Sequence, residues 1–377
     1  MKNILIAIRS IFKKGRHNVM KIVSLGIGLA VGLVLIAKVY FEQSYDDFYP
    51  DRDRVYQVWA KYQQNGGELK DYPQTSGGIA PTMQQQIPEI ETVTRYTSFG
   101  DWTFTMTDTK MKYSGRCIIA DSCFFDILPR PMLIGNAKEV LSTPMYVLIS
   151  SRIAKNIGGD VIGKNFTVDN SPGRTMTIGG VFEEVPENSH SRYDVIVSMA
   201  SAGRFMWEGS PTNMLGNDRY ISYVKLHKGV NPLALEEQVR TFVNSYFPPE
   251  EQQKVGLSID FSFHKLDNLH KELPQVKRMT WILSLLAFAL IFTAVMNYIL
   301  IVISSIVNRS KEVAVHKCYG ASENNIHGMM FGEALVHIVL SLILALLLIL
   351  AFRGTVEELL ATSLDSLLLS NGSLVLL

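Results

Sequence analysis

Three apolar blocks decide most of what this chain can become. They cover about residues 22–41, 281–307 and 329–352. Each is long enough to cross a hydrocarbon layer of roughly 30 Å, which takes about 20 helical residues. The first could be mistaken for a cleaved leader, because a basic segment precedes it. Its apolar run is too long for that, and Phe41-Glu42-Gln43-Ser44-Tyr45 follows where a small-residue cleavage site would stand. An uncleaved anchor is expected. Its one charge, Lys38, is expected to reach the headgroups along its own stem. Residues 42–278 have ordinary composition, enough for one large domain or two small ones.

Charge sets the orientation. Lys2, Arg9, Lys13, Lys14, Arg16 and Lys21 precede the first block, and Glu42, Asp46, Asp47, Asp51 and Asp53 follow it. The positive-inside rule then predicts a cytoplasmic N-terminus, residues 42–278 outside, the loop 308–328 inside and residues 353–377 outside. Within residues 1–21, Ile4, Leu5, Ala7, Ile8, Ile11 and Phe12 fall at helical spacing opposite Arg9, Lys13 and Lys14. That is an amphipathic helix suited to an anionic lipid surface. Residues 366–377 are too few to span and read as the start of an incomplete fourth helix. The whole chain balances 36 Lys and Arg against 35 Asp and Glu, which argues against a nucleic-acid partner.

In the polar stretch, 54–60 and 93–99 read as strands flanking a helix over 79–86, with Pro81 in its first turn and Pro88 beyond its end. A second such trio follows: strand 220–226, helix 232–246 capped by Asn231 and opened by Pro232, and strand 257–263. The spacing predicts one β-α-β lobe built from 42–100 and 217–278, with a strand-rich lobe, 101–216, inserted between them. Strands are expected there over 102–107, 112–120, 146–149, 165–168, 174–183 and 194–197, with a helix over 151–157. The expected class is an α+β membrane protein: transmembrane helices plus a large two-lobed α/β extracytoplasmic domain inserted between the first and second spans.

Catalytic and cofactor chemistry finds little support. Gly158–Asn165 nearly matches a phosphate loop, but Asn165 stands where the magnesium-binding hydroxyl belongs, so a plain turn is expected. His264, Asp267 and His270 lack any metal-ligand motif around them. Ser189, His190, Ser191 and Asp194 fit no triad better than chance. Cys117 and Cys123 lie on the outer side, where a disulfide and free thiols are both open; Cys318 is expected to be cytoplasmic and reduced. No catalytic residue, metal or cofactor is expected.

The spans and their loop are more informative. Gly26, Gly28 and Gly32 form a small-residue face with a G-x-x-x-G at 28–32, suited to close helix packing. Asn297, Glu333 and His337 are polar groups in apolar blocks and should face protein rather than lipid. Between the second and third blocks, Gly320 fits a helix stop and Ser322 a new cap, giving a short bend that could dock a cytoplasmic partner.

The run Arg309-Ser-Lys-Glu-Val-Ala-Val-His-Lys-Cys-Tyr-Gly-Ala-Ser322 resembles the R-x-K-E-[IV]-G-[IV]-R-K-x-[LV]-G-A-[ST] signature of MacB/FtsX-type ABC transporter permeases. Met296-Asn297-Tyr298 and Phe331-Gly332-Glu333-Ala334 are similar to its flanks. Residues 44–56, Phe124-Phe125-Asp126 and 181–190 resemble the Bacteroidetes-type branch with a MacB-like periplasmic core. His316 and Ala314 depart from the usual Arg and Gly, so docking is expected to be weakened or differently tuned. The resemblance implies a MacB-like core over 42–278 and an FtsX-like permease domain over 279–377. It implies a non-catalytic subunit in the bacterial inner membrane. A separate cytoplasmic ATPase would dock through Arg309, Lys311, Glu312, His316, Lys317, Gly320, Ala321 and Ser322. It also implies a second permease copy, with the glycine face as a candidate contact, and a periplasmic adaptor or outer-membrane channel as a further partner. Export of a peptide or drug, lipoprotein extraction and activation of cell-wall hydrolases are all open. So is a membrane-anchored sensor. One copy with an incomplete last helix would fit a half-unit or a truncated product.

Overall fold

The computed structural model describes residues 18–169, 171–308, 314–315, 318–319 and 323–369. The chain divides into two compact units. One is formed by its two ends, up to Ser44 and from His270; the other is Tyr45–Leu269.

The Tyr45–Leu269 unit is built on an eleven-stranded sheet. Its strands are β1 (Val55–Gln64), β2 (Lys70–Tyr72), β3 (Ile90–Met106), β4 (Lys112–Ala120), β5 (Met132–Ile134), β6 (Tyr146–Ser150), β7 (Asn165–Val168), β8 (Ser171–Phe182), β9 (Val195–Ser198), β10 (Ile221–Leu226) and β11 (Leu257–Lys265). The order is β11-β1-β10-β3-β4-β9-β6-β8-β5, with β2 on β1 and β7 between β3 and β8. The two ends of the segment thus share one half of the sheet, as the paired trios suggest. The middle continues that sheet instead of starting another. Strand β3 makes the continuity possible. Its first part pairs with β10 and its last with β7. A bulge between Ser98 and Gly100 carries it through, and Gly100 takes φ +76 there, a conformation that suits glycine.

The end of β4 from Cys117, together with β6 and β9, is apolar without alternation because both faces are covered. Cys117, Ile119, Val147, Ile149, Val195 and Val197 enter one core, while Ile118, Ala120, Leu148 and Ile196 enter the opposite one. Helices α1 (Asn18–Gln43) and α2 (Ile79–Gln86) come first in the chain; α3 (Ser151–Ile157) follows β6, and α4 (Glu236–Tyr246) follows β10. Ile79, Ala80 and Met83 of α2 pack with Val239, Phe242 and Val243 of α4 over β1, β3 and β10. Each of these side chains larger than alanine contributes about 1.5–3 kcal/mol by leaving water. The stretch opened by Pro232 differs from expectation. Pro232–Leu235 is a 3-10 turn, and α4 begins at Glu236 without a side-chain cap.

The other unit holds α1, α5 (Pro274–Asn308), α6 (Glu323–Ala351), α7 (Arg353–Leu360) and α8 (Leu364–Leu369). Three of these helices, α1, α5 and α6, are long and apolar enough to cross a membrane. Helix α5 starts seven residues before the apolar block, because Pro274 suits a first helical position and the polar turns after it extend the same helix. Large apolar side chains on α5, among them Trp281, Leu285, Phe288 and Phe292, are exposed, as a lipid-facing surface requires. The amphipathic stretch expected within residues 1–21 lies, up to residue 17, outside the described residues, as do residues 370–377.

Candidate functional site

Helix α1 is the packing centre of the helical unit: α5 and α6 each lie along it. Its glycines allow this. A Cβ on Gly28 would sit 2.2 Å from the Ala294 Cβ, and one on Gly32 would sit 2.4 Å from Ile291 Cγ1. On the other side, a Cβ on Gly26 would meet Leu344 at 2.9 Å, and Ser341 Oγ donates to the Ile22 carbonyl at 3.1 Å. The glycine face proposed for a second copy is therefore covered by this chain's own α5. Small residues bring backbones close wherever the first partner is, and here that partner is in the same chain.

Polar groups inside the helical unit divide in two. Glu333 and His337 are buried and line a small pocket of about 40 Å3 with Lys21, Tyr298 and Ser305. Tyr298 Oη lies 3.4 Å from His337 Nδ1. Asn297, expected to face protein, is exposed instead. The α5 stripe facing α1 carries Ala287, Ile291 and Ala294, a spacing that continues to Tyr298 and leaves Asn297 beside it.

A charged junction closes one end of this unit. Lys38 Nζ pairs with Glu42 Oε1 at 2.7 Å and donates to Thr362 Oγ1 at 2.7 Å. Glu42 Oε2 lies 2.5 Å from His270 Nε2. Lys38 and Glu42 are both more than nine-tenths buried. Lys38 does not reach outward along its stem, because the carboxylate one helical turn on meets its charge within the unit. The junction ties the end of α1 to the segment entering α5 and to the turn after α7. A lysine inside an apolar block, with a glutamate four residues on, was the one available sequence signal for it.

The expected docking residues Arg309, Lys311, Glu312, His316, Lys317, Gly320, Ala321 and Ser322 lie outside the described residues. Val315, Cys318 and Tyr319 beside them are exposed.

Elsewhere the motifs have structural roles. Gly163 turns the chain into β7 at φ +77, and Lys164 Nζ donates to the Gly158 carbonyl at 3.5 Å. His264 stacks on Trp59 with centroids 4.2 Å apart, Asp267 lies 3.6 Å from Arg52, and His270 belongs to the junction. Asp46, not Asp194, meets His190: Oδ2 is 2.6 Å from Nδ1, while Ser189 Oγ donates to Oδ1 at 2.7 Å. The serine thus bonds the carboxylate and not the imidazole, which is not a nucleophile–base geometry. Cys117 and Cys123 are both free. Burial pushes the Cys117 thiol well up, and the Cys123 thiol up to about 11.

The family model described as the MacB-like periplasmic core domain matches residues 20–242. The one described as the FtsX-like permease C-terminal domain matches residues 284–374. Among solved structures, the chain is similar to a domain of a permease protein from Porphyromonas gingivalis. Identity is 33%, covering 58% of this chain and 91% of that one, with a TM-score of 0.53. The extracellular domain of the noncanonic ABC-type transporter YknZ from Gram-positive bacteria matches at 11% identity. That match covers 54% of this chain and 98% of the other, with a TM-score of 0.37. No curated protein matches the chain.

Proposed function

We propose a function from one premise: this chain belongs to the family of MacB/FtsX-type ABC transporter permeases. It is the membrane subunit of such a transporter and carries no chemistry of its own. A separate cytoplasmic ATPase docks on residues 308–328, and its closure moves α5 and α6. The N-terminus is cytoplasmic, and the Tyr45–Leu269 unit stands outside the membrane between the first and second spans. The motion reaches it for export or extraction of an envelope substrate such as a peptide, drug or lipoprotein. Two copies of the permease domain work together.

The observation that carries this reading is the pair of family matches over a chain with three long apolar helices among its described residues. The Lys38–Glu42–His270–Thr362 junction supports the mechanical part. It binds three separate chain segments at one end of the helical unit, so that a shift of one is felt by the others. The test is co-purification with the ATPase after reversing the docking charges by Lys311→Glu and Lys317→Glu. Loss of the ATPase with intact membrane insertion is expected; unchanged co-purification removes the docking role.

A further inference from the structure

At one end of the Tyr45–Leu269 sheet lies a cleft of about 640 Å3, within the range of small-molecule sites. It is built by the ends of β6 and β8, the start of β9 and the middle of β4. Asp194 fixes its frame. Its Oδ2 accepts from the Arg116 backbone N–H at 2.8 Å, and its other oxygen takes the Arg152 guanidinium. Gly115 leaves room for this, since a Cβ there would come within 2.7 Å of the Asp194 side chain. Arg152 also reaches Glu184 at 3.3 Å, so that arginine is neutralised within the frame.

Arg130 is not neutralised in this way. It lines the cleft and is only 5% exposed. Its guanidinium carbon stands 5.1 Å from the Phe182 ring centre, 5.8 Å from Tyr193 and 5.9 Å from Phe125. Nε and Nη2 are buried without a hydrogen-bond partner. These two N–H groups form one edge of the guanidinium plane, the parallel fork that matches the two oxygens of a carboxylate or phosphate. Aromatic faces hold a cation without supplying such oxygens. Burial works against the charged form and pushes the guanidinium below its ordinary value, with the Tyr49 and Tyr193 hydroxyls opposing that shift. Arg116 and Arg192, both exposed, line the same cleft and add positive charge; Asp101 and Glu187 line it too and leave the mouth near electrical balance.

We infer that this cleft is a binding site for an oxyanion, a carboxylate or phosphate group, received by the Arg130 guanidinium, with Arg192 at the mouth. The inference is independent of the permease reading, because it concerns residues of one unit and needs no ATPase.

Calorimetric titration of the full chain in detergent, at constant ionic strength made up with chloride, tests it. The probes are sodium benzoate and inorganic phosphate, taken through the millimolar range. Saturable binding of at least one probe is expected. Arg130→Lys, which keeps the charge but loses the fork, should weaken it by about tenfold or more. Arg192→Ala, an exposed change that leaves the fold intact, should weaken it by a smaller factor. Benzoate alone binding identifies a carboxylate site, phosphate alone a phosphate site, and both a general oxyanion site. Flat titrations with both probes overturn the proposal. So does binding that Arg192→Ala and a folded Arg130→Lys both leave unchanged.

Discussion

Replacing Gly28 by alanine puts one methyl group into the contact between α1 and α5. The new Cβ would lie 2.2 Å from Ala294 Cβ, whereas non-bonded carbons settle at about 3.5–4.0 Å. Helices α1 and α5 must therefore separate by about 1.5 Å locally, or lose their register. Overpacking of this kind costs about 1–3 kcal/mol. Alanine gives back up to about 1 kcal/mol through its better helix propensity. Gly332→Ala measures that second contribution alone, because nothing lies within 4 Å of its Cβ position. Gly32→Ala should cost less than Gly28→Ala, since Ile291 can turn a flexible side chain away. The decisive comparison is the double variant Gly28→Ala with Ala294→Gly, which moves the methyl from one helix to the other. Thermal unfolding in detergent should show Gly28→Ala clearly below Gly332→Ala, and the double variant recovered by about 1–2 kcal/mol relative to additivity. Strictly additive losses would refute the intrachain contact. A change in oligomeric state with unchanged unfolding would return the glycine face to a second copy.

Glu42→Gln should destabilise the helical unit by about 3–5 kcal/mol, because Lys38 stays buried without its carboxylate; the paired change Lys38→Met with Glu42→Leu should recover most of that loss in the same unfolding assay. Asp51 is held down to about 2 by its bonds to Arg54 and Lys225. Its contribution to stability is complete above pH about 4 and fades as pH falls towards 2, so Asp51→Asn should flatten the unfolding curve across that interval only. Cys318 is exposed, whereas Cys117 is fully buried. A membrane-impermeant maleimide should label Cys318 in inside-out vesicles and not in right-side-out cells, and should reach Cys117 only after unfolding; Cys318 labelling in intact cells would invert the proposed topology.

Local chemistry was legible where one segment carries its own signal. Helix α3 and strands β4 and β7 fall where turn residues and β-branched runs place them. Strand β3 was harder: Gly100-Asp101 looks like a break between two strands, yet it is a bulge within one of 17 residues. The short strands β2 and β5 carry too few residues for any period to show. At the junction, Lys38 looked like a lysine reaching for water because the partners that hold it arrive from far along the chain: Thr362 is 324 residues away, and His270 lies 228 residues beyond Glu42. Arg130 sits in Leu128-Pro129-Arg130-Pro131, a stretch that carries no helical or strand period. Only the fold brings Phe125, Phe182 and Tyr193 around it.

The pairing of β1 with β11 has a consequence for how the protein is made. Gln64 pairs with Leu257 and Tyr56 with Lys265, so the first strand to leave the ribosome meets its last neighbour roughly 200 residues later, a delay of about 10–40 s at ordinary elongation rates. Meanwhile β1 is a bare apolar ribbon outside the membrane, with only the short β2 to cover an edge. Nascent chains of this protein should therefore depend on holding factors in that compartment, and should stick to one another when synthesis stalls between β1 and β10.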